Sequence, residues 1–182
     1  MPLVKIDLTE EEVLDAMRHG DERHAESRRS SRRDRFGMKK EDRIDVDYVG
    51  AIGEQIVAKA IGIEPEFRIG NFKGPDLRGF IQVRATDNLS HSLIIRSNDN
   101  KDHVYALAYA VPDRGFFFGG WIWGVDGMSG QFWRSLWNGR PPVWLIDEMH
   151  LHPAESLVDL VEHEKRAGRP PSREDWLAMR HG

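Results

Sequence analysis

The stretch from Gly50 to Thr86 constrains this chain more than any other. It reads Gly50-Ala-Ile-Gly53-Glu54, continues as a helix-like run, passes through Gly74-Pro75-Asp76-Leu77 and ends in Ile81-Gln82-Val83-Arg84-Ala85-Thr86. Ile52, Ile56, Val57 and Ala60 form one apolar helical face. That spacing predicts a helix from near Asp45 to Tyr48 up to Ala60, with Gly62 as its stop. Alternate side chains of a strand share a face. Ile81, Val83 and Ala85 therefore point into a core, while Gln82 and Arg84 point together to the other side. Gly74-Pro75 sets a tight turn, so Asp76 projects at the strand mouth. A bend at Arg78-Gly79 would bring it to Gln82 and Arg84, and Glu54 would enter from the preceding helix.

Hard oxygen donors on rigid elements beside a fixed cation suit a divalent metal and a phosphate. Mg²⁺ takes one or two protein carboxylates and keeps several waters. The expected metal side is Asp76, the side-chain carbonyl of Gln82 and the main-chain carbonyl of Val83, with Glu54 bound directly or through water. Arg84 would offset charge that builds on a phosphorus-centred transition state. It stays protonated and cannot act as a base, so that role would fall to a second metal-bound hydroxide, the phosphate itself or a nearby group such as His91. Each residue also has a plainer reading. Glu54 is an acid favoured early in a helix, Asp76 is a turn residue, Gln82 and Arg84 are the wet face of an edge strand, and an Arg84–Asp76 ion pair would gather them without metal.

Cysteine is absent, which excludes disulfides and thiolate metal sites. No apolar run reaches membrane-spanning length, so a cytoplasmic protein is expected. The net charge of −4 argues against a surface coated in DNA-binding charge but permits a local basic strip. Arg28, Arg29, Arg32, Arg33, Arg35, Lys39 and Lys40 supply one. They can contact phosphates, or form a solvated helix face interleaved with Ser27, Ser30 and Ser31.

The 182 residues are expected to form one domain: a helical, basic arm over 1–42, a core over 43–150 and C-terminal helices over 151–182. Thr9 and Glu12 make a capping box ahead of a helix from about Glu10 into the Arg-rich region. Expected strands are Glu66–Ile69, Phe80–Thr86, Ser92–Arg96, Val104–Val111, Phe116–Trp123 and Val143–Ile146. His152-Pro153 opens a helix through Glu164, and Ser172 with Asp175 caps a last one containing Trp176. Helices, a mixed sheet and further helices define an α+β or α/β class. Trp121, Trp123, Trp133, Trp137 and Trp144 crowd one stretch and read as core or dimer face, or as a platform for stacking on bases. His150 and His152 alternate and read as core or surface histidines, with a metal pair as the lesser alternative.

The order of these motifs resembles the PD-(D/E)XK, restriction-endonuclease-like nuclease superfamily. Pro75-Asp76 stands for its first half-motif, Gln82-Val83-Arg84 for a variant of the second, and Gly53-Glu54 for its upstream helix glutamate. Gln82 replaces a carboxylate and Arg84 replaces a lysine. The Gly50-Ala-x-Gly53-Glu54 helix, Gln82-Val-Arg84, Leu93-Ile-Ile-Arg96 and Gly120-Trp-Ile-Trp-Gly124 also resemble a group of uncharacterised phage and prophage proteins. The superfamily resemblance implies a mixed sheet flanked by helices and DNA cleavage dependent on Mg²⁺ or Mn²⁺; the phage group supports the fold and a phage setting. The expected partner is double-stranded DNA. The two departures support an alternative: a catalytically inactive DNA- or protein-binding phage factor that blocks a host system. A structural phage protein forming a homodimer or larger oligomer through the Trp-rich strand is a third reading.

Overall fold

A computed structural model of the chain describes residues 3–29, 42–67, 74–135 and 141–181. It is an α+β fold with two sheets flanked by helices. The elements run β1 (Val4–Ile6), α1 (Glu10–Arg29), α2 (Asp42–Ala60), β2 (Ile81–Thr86), β3 (Leu93–Arg96), β4 (Val104–Val111), β5 (Gly115–Trp123), α3 (Gly124–Gly127), β6 (Trp133–Arg134), β7 (Val143–Ile146), α4 (Ala154–Ala167) and α5 (Arg173–His181). The larger sheet has the order β1-β5-β4-β2, and a smaller one has the order β3-β7-β6. Where one mixed sheet was expected, β3 and β7 leave it to pair with each other, Ile94 opposite Leu145 and Ile95 opposite Trp144.

Two cores account for the division. One face of the larger sheet buries Ile81, Val83, Ala106, Phe118 and Trp121 against α2, α4 and α5. The other buries Tyr105, Leu107, Tyr109 and Ile122 against Leu93, Ile95 and Ile146 of the smaller sheet. Strand β4 has apolar residues on both faces, is buried from Val104 to Ala110 and has a neighbour on each side. Strand β2 lies at the edge and pairs with β4 in parallel, Gln82 opposite Tyr105 and Arg84 opposite Leu107.

Local chemistry sets the helix ends. The Thr9–Glu12 capping box forms, with Thr9 N–H donating to Glu12 Oε2 at 2.6 Å and Glu12 N–H to Thr9 Oγ1 at 3.2 Å. Ser172 and Asp175 exchange the same pair of bonds ahead of α5, at 2.8 and 3.2 Å. Helix α4 ends at Gly168, which adopts φ 66° and donates its N–H to Glu164 O.

Several expectations shift. Helix α2 starts at Asp42, earlier than expected, and α4 extends to Ala167. Glu66 and Phe67 are not in a strand, and residues 68 and 69 of the expected strand lie outside the described residues. The short pairing of Trp133-Arg134 with β7 had no alternating pattern to reveal it. His150 closes a single 3₁₀ turn, whereas His152 bridges to Trp121. Trp121 and Trp123 are core residues, Trp133 is 41 % exposed, and Trp137 lies outside the described residues. No described helix is long and apolar enough to cross a membrane.

Candidate functional site

Packing of α2 on β2 builds the site. A Cβ at Gly53 would collide with the Cβ of Ala85, so glycine lets the helix lie directly on the strand. Glu54 is thereby carried to the sheet edge and is only 3 % exposed. Below it, Leu77 and Ile81 close a tight turn through Ile81 N–H to Leu77 O at 3.0 Å. Arg78 and Gly79 make the bend, with φ of 51° and 75°. Arg78 is held there by its N–H to Glu66 Oε1 at 2.7 Å and by its guanidinium on Glu164.

That turn delivers Asp76 to β2 as the residue pattern anticipates. Its Oδ2 accepts from Gln82 Nε2 at 2.6 Å and from Val83 N–H at 2.7 Å, while Oδ1 takes neither bond. Gln82 thus meets Asp76 through its amide nitrogen; the carbonyl oxygen assigned to the metal is the other end of the same group. Burial pushes the Asp76 carboxyl up, against the Val83 N–H and the Arg84 and Arg23 charges that favour its ionised form.

A residue without any local signature completes the cluster. Arg23, on α1, forks onto Glu54, Nη1 to Oε1 at 2.5 Å and Nη2 to Oε2 at 2.6 Å. One helical turn earlier, a Cβ at Gly20 would lie 2.6 Å from Tyr48 Cδ1, so glycine lets α1 approach α2 closely. Burial works against the Arg23 charge, but Glu54, with Asp76 and Asp47, more than offsets it and raises the guanidinium above its ordinary value. Burial also pushes the Glu54 carboxyl up to about 7, the Arg23 fork opposing and the Asp76 charge reinforcing that rise.

Arg84 lies on the same face as Gln82 but is engaged with β3 and its following turn. Its Nη2 donates to Asp99 Oδ2 at 2.6 Å and its Nε to Ile94 O at 3.1 Å, while its guanidinium lies 5.3 Å from the Tyr105 ring centre. The direct Arg84–Asp76 ion pair considered from the sequence is therefore replaced by an Arg84–Asp99 pair. His91, the suggested base, is bonded to Thr86 Oγ1 at 2.8 Å.

A metal fits this donor set in part. Glu54, Asp76, the Gln82 carbonyl and the Val83 main chain offer oxygen from two carboxylates and two neutral groups, within the range Mg²⁺ accepts. Both carboxyls remain raised with Arg23 in place, chiefly because burial disfavours their ionised forms. Among the described residues, no group of three or more His, Asp or Glu is arranged to hold an ion, so such a site depends on the Gln82 amide and the main chain.

Of the basic arm, Arg29 is exposed and sits 3.8 Å from Glu26. The Arg28 side chain and Arg32, Arg33, Arg35, Lys39 and Lys40 lie outside the described residues. No protein-family model, curated protein or solved structure matches the chain.

Proposed function

We propose that this chain is a nuclease-like protein of the PD-(D/E)XK type that hydrolyses DNA phosphodiester bonds with Mg²⁺ or Mn²⁺. The observation that carries the reading is the meeting of Glu54, Asp76 and Gln82 at one sheet edge, from a helix, a turn and a strand in the order the motif requires. Glu54, Asp76, the Gln82 carbonyl and the Val83 main chain would hold the ion. Bound there, it would supply Lewis acidity at the scissile phosphate. Arg84 would offset charge gathering on the phosphate oxygens as a fixed guanidinium, preorganised by Asp99. Val83 N–H and the Gln82 amide keep Asp76 aimed. The Arg28 to Lys40 arm would grip the duplex.

A specific observation favours a second reading, a catalytically inactive DNA- or protein-binding factor on the same fold. Arg23 already occupies both oxygens of Glu54, and Asp99 already holds Arg84. Incubation of supercoiled plasmid with the protein and Mn²⁺, with and without chelator, separates the two. Chelator-sensitive nicking that disappears in Asp76→Ala supports the nuclease. DNA retention without nicking, together with no calorimetric Mn²⁺ binding, supports the inactive factor and ends the catalytic reading.

A further inference from the structure

At the end of β5 lies an open cleft of about 650 Å³, within the size range of ligand pockets. Helix α5 contributes Arg173 and Arg180, the segment ahead of α4 contributes His150 and His152, and the turn after α3 contributes Ser129 and Gln131. Asp126 fixes Arg173, accepting from its Nε at 2.8 and 2.9 Å and lying 2.7 Å from its Nη2, so Nη1 takes no part in the fork. Arg180 lies 5.4 Å from the Trp176 ring centre and pairs with no carboxylate among the described residues. Two guanidiniums face one carboxylate, so the lining is positive even with both imidazoles neutral. Forked guanidinium donors beside hydroxyl, amide and imidazole groups match the oxygens of a phosphate.

The position of the cleft links it to the candidate site. Ile122 on its floor pairs with Tyr105, which in turn pairs with Gln82. Directly opposed residues point to the same face, so Ile122 lies two strand spacings, about 10 Å, from Gln82 across a sheet face that the smaller sheet covers.

We propose that this cleft is a phosphate subsite for the nucleic-acid strand engaged at Asp76 and Gln82, with Arg180 and Arg173 gripping the phosphate oxygens and His150 and His152 lining it. The source of the phosphate rests on the DNA reading above; the anion-binding chemistry of the cleft does not. The test uses the full chain in chelator, with binding of a short labelled duplex followed by anisotropy over a salt series. Arg180→Ala and the charge reversal Arg180→Glu are compared with wild type and with Arg166→Ala, and thermal melts check that each variant folds. Arg180→Ala should weaken binding about five- to ten-fold and lower the log–log salt slope by about 1. Arg180→Glu should weaken it further, and Arg166→Ala, on the exposed end of α4, should bind like wild type. Inorganic phosphate should shift the His150 and His152 ring signals in NMR spectra of wild type but not of Arg180→Glu. Unchanged DNA affinity and salt slope in both Arg180 variants would overturn the proposal even if phosphate still shifts those signals, because free phosphate would then be the ligand. An Arg180 effect on binding in a protein that never cleaves DNA would end the catalytic reading and leave the subsite standing.

Discussion

Arg23 and Glu54 stand 31 residues apart and meet as a two-point fork, 2.5 and 2.6 Å long, at the edge of β2. A buried pair of this kind is costly to break, because removing one partner leaves the other charge uncompensated. It also puts a guanidinium against a carboxylate that a divalent ion would need. Arg23→Ala should therefore destabilise the metal-free protein by about 3 kcal/mol in urea unfolding. It should also tighten Mn²⁺ binding by about ten-fold in calorimetry, because an ion would no longer compete with the fork. Equal Mn²⁺ affinity in the two proteins would mean that Glu54 is not a ligand.

The buried Glu54 carboxyl gives stability a definite pH dependence. Its value of about 7 in the folded chain lies above the ordinary 4.5, so between these limits the folded state holds a proton that the unfolded chain has released. Stability contributed by this group is full below pH 4.5 and is lost as pH rises to about 7. Glu12 and Asp175, held low by Lys59 and Arg169, act in the opposite sense below that window. Urea midpoints measured across the window should fall with rising pH in wild type and fall less in Glu54→Gln. The part that remains sums Asp76, which burial also raises, and the opposing contributions of His103 and His152, which burial lowers.

Restoring a carboxylate at Gln82 tests the donor set. In metal-free Gln82→Glu, the hydrogen bond that the Gln82 amide donates to Asp76 is lost and two carboxyl groups face each other where 2.6 Å now separates donor from acceptor. The variant should melt lower than wild type without metal and recover on adding Mn²⁺, with Mn²⁺ affinity raised about ten-fold. A melting temperature insensitive to Mn²⁺ in both proteins would count against any ion at this edge.

Gly53 tests how Glu54 reaches the site. Gly53→Ala drives a methyl into Ala85, and overpacking of this kind costs about 1–3 kcal/mol. Pairing it with Ala85→Gly should recover most of the loss, because the collision is between those two positions. If the double variant is no more stable than Gly53→Ala alone, the helix–strand contact is not what requires glycine there.

What could be read directly from the residues was local. Alternation in Ile81 to Thr86 put Gln82 and Arg84 on one face, Arg78-Gly79 marked the bend that delivers Asp76, and Thr9 with Glu12 announced a helix start. These depend on neighbours a few positions away, where backbone geometry links residue order to direction. The partners depended on the tertiary structure. Arg23 reaches Glu54 only because Gly20 lets α1 settle against Tyr48, and Asp99 captures Arg84 only because the turn after β3 folds back over β2. The split into two sheets likewise follows from β3 pairing with β7 at separations of 47 or more positions, a contact no local pattern encodes. Sequence by itself determined which groups stand near the sheet edge; packing decided which charges they meet, because burial makes every such pairing a property of the whole fold.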